Sequence, residues 1–214
     1  MKIMFNDKYG LTQAVLEGRK TQTRRIITCH QTFKGQYVAG FHVYKQKSSG
    51  FISEICMYDE DERDFDEGQI VPMYKIGEIV AVAQKYKDCG GFMQDGTPRW
   101  NYISNIVGSI NGGWSNKMFI KPELMPHQIR VTNIRIERLQ DISDDDCLAE
   151  GIIKKWHSPA GRNYFYIPNI DVKSKKDVYN SPREAYAVLI DKVGKKGDWE
   201  RNPFVFVYDF ELVK

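Results

Sequence analysis

No stretch of the 214-residue chain approaches the roughly 18 consecutive apolar residues of a membrane-spanning helix, so no membrane partner is expected. The opening MKIMFNDKYG lacks the apolar core of a signal peptide, and the expectation is a cytoplasmic protein. Cysteine is scarce. Cys29, Cys56, Cys89 and Cys147 stand far apart without a C-x-x-C pair, and Cys29 and His30 are adjacent rather than at zinc-finger spacing. Free thiols, no metal site and no cofactor are the expectation. A glycine-rich strand-to-helix crossover is also missing, which argues against a Rossmann or P-loop nucleotide site. Nor does charge of one sign prevail: 31 Lys and Arg against 28 Asp and Glu leave +3, so contact with nucleic acid would need a local patch.

What is present is a folding chain, 42% hydrophobic and 13% aromatic. Its length suits a single domain over 1–214, with an enlarged insertion over 29–75 and a long loop over 87–118. KIMFN reads as a first strand. Asn6 or Asp7 then caps a helix through Leu11, Ala14 and Val15 that stops at Gly18. TQTRRIIT is β-branched and reads as a strand, QYVAGFHVY and GFISEICMY as a hairpin, and GEIVAVAQKY as a strand buried on both faces in its first half. In QIRVTNIRIERL the apolar phase slips between Val131 and Ile134, which requires a bulge near Thr132 and Asn133. Ser143 caps a short helix ending at Gly151, and Ser181, Pro182 and Glu184 open a longer one ending at Gly194. NPFVFVYDFELV, apolar on both faces at first, reads as a central strand.

Two stretches interrupt this plan. YDEDERDFDEGQ is acidic, but Arg63 falls among the candidate ligands and no EF-hand spacing is present, so a solvated loop is expected. The 87–118 segment is rich in Gly, Asn and Ser around Trp100 and Trp114, aromatics suited either to stacking on a base or to pinning the loop.

The segment with most chemistry is GRKTQTRR, residues 18–25. One reading is a basic strand edge facing water. The other is a site: Lys20, still in the turn after Gly18, folds back toward Thr23 as an amine beside a hydroxyl nucleophile, while Arg19, Arg24 and Arg25 offer forked donors to an anion.

Gly18, Lys20, Thr23 and Arg25 match the spacing of G-x-K-x-x-E-x-R, the signature of the ASCH family, with threonine in the glutamate slot. LEGRKTQTRRII, YKIGEIVAVAQKY, ELMP, IRIERLQDIS followed by EGI, and GDWERNPFVFVYDFELV also resemble phage and bacterial members, and together span nearly the whole chain. The resemblance implies an α+β fold, a PUA-like bent β-barrel with short helices packed at its ends, and a cleft suggested to hold RNA or nucleotide-like ligands. Some relatives are amidohydrolases that deacylate N4-acetylcytidine nucleosides through lysine, threonine and glutamate. Carried over, Lys20 would activate Thr23 as nucleophile. Where relatives show WVRETW this chain has AVAQKY, so Gln84 stands at the usual glutamate; the basic run after MP is shortened to HQI. Glutamine can hydrogen-bond a base but cannot shuttle a proton.

The first expectation is therefore binding of RNA or a modified nucleoside, with Arg19, Arg24, Arg25, Gln84, Tyr86, Trp100 and Trp114 as contacts. The alternatives are a Lys20/Thr23 hydrolase acting on an acylated nucleoside or on RNA, and a phage-derived protein-interaction module.

Overall fold

A computed structural model describes residues 1–28, 30–45, 52–89, 117–118, 120–170 and 177–213. Its centre is the last apolar stretch, β12 (Phe204–Leu212), whose Val205, Phe206, Val207 and Tyr208 are all buried, as suits a strand covered on both sides. It pairs antiparallel with β9 (Gln128–Arg138) on one edge and with β2 (Gln22–Ile26) on the other. The bulge falls where the apolar phase slips. Asp209 faces Asn133 and Phe210 faces Val131, so Thr132 is the extra residue, which keeps Ile129, Val131, Ile134 and Ile136 all on buried positions. β8 (Ile79–Val82) extends the sheet beyond β9, and β1 (Lys2–Ile3) lies parallel to β8 at the end, giving the order β1-β8-β9-β12-β2.

The expected barrel is not closed. β1 and β2 are opposite edges with no ladder between them, because β1 is only two residues long and pairs solely with β8. The sheet is nonetheless strongly curled. Laid flat at about 4.8 Å per strand, its outer strands would lie about 19 Å apart. Instead Arg25 Nη2 on β2 donates to the carbonyl of Met4, the residue after β1, at 2.6 Å. A side chain spans the gap that a further ladder would close.

The remaining strands form smaller sheets. β3 (Thr32–Phe33) and β4 (Gln36–Tyr37) make one hairpin; β5 (Gly40–Lys45), β6 (Ile52–Tyr58) and β7 (Asp64–Ile70) make a three-stranded meander. The acidic run is thus a turn followed by a strand rather than a loop: Asp59 Oδ1 accepts from the backbone of Asp61 and Arg63, and this turn feeds β7 back along β6. The Tyr58 ring lies over Gly40 across the ladder: a Cβ there would come 2.0 Å from its hydroxyl, so any other residue would displace the ring. β10 (Ile153–His157) and β11 (Arg162–Tyr166) form a separate two-stranded ribbon.

Four short helices are present among the described residues. α1 (Leu11–Leu16) begins later than expected: Gly10, at φ 61°, is its N-cap, and Asp7 instead accepts from the Thr12 hydroxyl. α2 (Asp144–Ala149) and α3 (Pro182–Val193) carry the expected serine caps, with Ser143 accepting from Asp146 N and Ser181 from Glu184 N, each at 3.1 Å. α4 (Asp198–Arg201) follows α3. The architecture is mixed α+β, mostly strand, and no described helix is long and apolar enough to cross a membrane.

Candidate functional site

The end of α1 fixes the position of Lys20. Gly18, at φ 70°, lets the chain reverse: its N–H reaches the Val15 carbonyl while Arg19 N–H reaches that of Ala14, both at 2.9 Å, the pair of bonds that defines a Schellman cap. Lys20 N–H also donates to Ala14, and Thr21 N–H to Ala149 at the end of α2. Lys20 is therefore in the connection before β2, clamped between two helix ends.

Its side chain points inward and is 2% exposed. All three ammonium donors have acceptors: the Gln22 carbonyl at 2.7 Å, the Glu150 carbonyl at 3.0 Å and the Glu150 carboxylate. Burial lowers the Lys20 pKa, and the Glu150 carboxylate opposes that shift.

Arg24 is saturated in the same way. Its Nε and Nη2 reach Glu137 Oε1, Nη2 also reaches Asp146 at 2.9 Å, and Nη1 meets the Gln22 amide oxygen and, at 3.4 Å, Glu150 Oε1. Burial works against its charge, but the Glu150 and Glu137 carboxylates outweigh it and raise the pKa. Arg135 completes the network through Glu137, Asp146 and Asp209 at 2.8–3.0 Å. Three cations thus face the four carboxylates of Glu137, Asp146, Glu150 and Asp209, so the knot holds no surplus positive charge for a phosphate.

A cavity of about 60 Å³ opens beside this knot, lined among others by Lys20, Thr23, Glu150 and Tyr186. The Tyr186 hydroxyl is buried without a hydrogen-bond partner among the described residues, and burial, then Glu150, pushes its pKa well up. A space of this size holds only water or a small group. It shares Met4 and Arg25 with a cleft of about 440 Å³ whose walls include Phe206, Tyr208 and Tyr74 and whose rim carries Val71 and Met73, the latter 69% exposed. That cleft has the volume of a small-molecule site. It occupies the gap between β1 and β2 where the curled sheet fails to close.

The residues singled out in the sequence divide accordingly. Lys20 and Thr23 line one cavity, and Arg25, exposed, stands at its junction with the cleft. Arg24 is inside and wholly engaged, because the carboxylates of β9 and α2 converge on its face of β2; a phosphate cannot reach it. Arg19 pairs with Glu17 at the surface. Gln84 is buried with its Oε1 unpartnered among the described residues, and with Asp7, Thr12, Lys85 and Asn169 lines a different pocket of about 440 Å³ that shares no residue with the Lys20 cavity. Tyr86 begins the turn Tyr86–Cys89, its side chain outside the described part; Trp100, Trp114 and nearly all of the 87–118 loop lie outside the described residues.

Sequence reasoning missed Glu150 as the carboxylate beside Lys20, although its EGI tripeptide is among the segments that resemble the ASCH family. It also missed Tyr186, which reads as one apolar position of an amphipathic helix. Among the described residues no group of three or more His, Cys, Asp or Glu side chains is placed to hold a metal ion. No protein-family model, curated protein or solved structure matches the chain.

Proposed function

We propose that the chain is an ASCH-type protein with a PUA-like fold that binds RNA or a modified nucleoside through its base, held in the cleft between β1 and β2. The observation that carries this reading is a pair of adjoining spaces: a nucleoside-sized, largely apolar cleft that shares its Arg25 and Met4 wall with a small, mostly apolar cavity onto which Lys20, Thr23 and Glu150 open. The exposed Arg25 guanidinium offers a plane on which a base can stack, and the cavity accepts one polar substituent of that base.

Titration calorimetry with cytidine and N4-acetylcytidine tests this. N4-acetylcytidine is expected to bind more tightly, and Arg25→Ala to weaken it by about tenfold, the scale of one base-stacking contact. Absence of binding, or equal affinity in Arg25→Ala, contradicts the reading.

A second reading, hydrolysis of the N4-acyl group, is favoured by Glu150. A proton passed from Lys20 to Glu150 across their contact leaves a neutral amine, which can take the Thr23 proton as Oγ attacks the acyl carbon. The amine returns that proton to the departing N4, and water then cleaves the acyl-threonine to carboxylic acid and free hydroxyl. On this account the carboxylate sought at position 84 is supplied by Glu150, and Gln84→Glu restores nothing. Cytidine release should fall about 10²- to 10⁴-fold in Thr23→Ala and in Glu150→Gln. Binding without release in the wild type would leave the binding reading alone.

A further inference from the structure

The β10–β11 ribbon takes no part in the site described above, yet it carries an accessible basic and aromatic surface. Between Gly151 and Ile170 there is no Asp or Glu, while Lys154, Lys155 and Arg162 are all present. All three are exposed, and none has an ion pair among the described residues. In the knot around Arg24, by contrast, every cation meets a carboxylate.

The register sorts these side chains. Residues directly opposite one another share a face, so Lys155 and Tyr164, His157 and Arg162, and Ile153 and Tyr166 lie together. Contacts between them agree: the Arg162 guanidinium sits 4.8 Å from the Tyr164 ring, His157 meets the same ring edge-on at 5.5 Å, and Lys155 Nζ lies 6.0 Å from the Tyr166 ring. Cations and rings therefore alternate along one face. On the other face Phe165 is buried and its backbone bridges Tyr179, which anchors the base of the ribbon; nearer the tip, Trp156 overhangs and is 64% exposed. The strip is rooted through Phe165, positively charged and edged by an open indole.

We propose that this ribbon is a docking site for single-stranded RNA, with Lys155 and Arg162 on phosphates along one face and, where the strand crosses the narrow ribbon, Trp156 of the opposite face stacked on an unpaired base beside Lys154. Charge complementarity selects a polyanion, and the interleaved rings select one with flat apolar bases over an acidic polypeptide. The inference rests on the proposed base-binding cleft and deepens it, since it makes the partner a polynucleotide rather than a free nucleoside. The ribbon starts three residues after Glu150, so it leaves the protein from the wall of the Lys20 cavity.

The test is fluorescence anisotropy with a labelled ten-nucleotide unstructured RNA, alongside calorimetry with free N4-acetylcytidine. Trp156→Ala should weaken RNA binding about tenfold. Lys155→Ala with Arg162→Ala should weaken it further and lower the slope of log affinity against log salt by about 1.4, at about 0.7 per phosphate contact. Nucleoside binding should be unchanged in all of these variants, and circular dichroism should show wild-type folding. Unchanged RNA affinity in the ribbon variants, or equal binding of polyglutamate of the same charge, overturns the docking strip whatever the nucleoside does. Loss of nucleoside binding in the wild type, with ribbon-dependent RNA binding retained, instead overturns the cleft.

Discussion

The knot around Arg24 and the β10–β11 ribbon are the two most cation-rich places described above, and they put their cations to opposite uses. In the knot, Lys20 and Arg24 are buried and Arg135 half-buried against four carboxylates, with their donors engaged, so their charge is structural. On the ribbon, Lys154, Lys155 and Arg162 face solvent with no ion pair among the described residues, so their charge is available. Cations clustered in sequence thus say little about binding until the acids that face them are known. GRKTQTRR makes the point within two residues: on β2, Arg24 turns into the knot and Arg25 turns out to the cleft, because successive strand residues point to opposite faces.

The contrast is sharpest in stability. Arg24→Ala leaves Glu137, Asp146 and Glu150 crowded together without their shared cation, and should cost about 3–5 kcal/mol in urea unfolding. Arg24→Lys should recover only part of this, since three donors cannot replace five. Lys155→Ala and Arg162→Ala should each stay within about 0.5 kcal/mol of wild type. An equally mild Arg24→Ala would erase the distinction.

Acid should attack the knot before the ribbon. Burial raises the Asp146 pKa, but hydrogen bonds from Gln22 and Arg24 outweigh it and leave it below its ordinary value. A carboxylate with a depressed folded pKa stabilises the protein above its unfolded pKa, and this is lost as pH falls through the folded value. The acid unfolding curve of Asp146→Asn should accordingly be flatter than that of wild type below about pH 4. Identical curves would show that Asp146 carries no such linkage.

The smallest expected effect within the knot is at Tyr186. Its hydroxyl has no partner among the described residues, so Tyr186→Phe should change the melting free energy by less than about 1 kcal/mol, against several for Arg24→Ala. A large loss would mean that the hydroxyl is bound through water in the Lys20 cavity.

Local chemistry made much of the fold legible. The phase slip between Val131 and Ile134 located the Thr132 bulge, and the serine caps located α2 and α3, because each is decided within a few residues. The closure of the sheet was not legible, since it depends on β1 ending after two residues while a side chain spans to β2. At the site, Gly18 and the turn to Lys20 could be read from the helix stop alone. Glu150 could not: 130 residues separate it from Lys20, and only the packing of α2 beside β2 brings its carboxylate there. The placement of Gln84 was hidden for the complementary reason, since nothing local reveals that it opens onto a different pocket.

The most direct test of the central claim is a crystal structure with N4-acetylcytidine bound. The account predicts the base in the cleft between Arg25 and Met73, with the acyl group entering the cavity of Lys20, Thr23 and Glu150. A nucleoside bound instead in the pocket of Gln84 and Lys85, or with its acyl group turned to solvent, would contradict it.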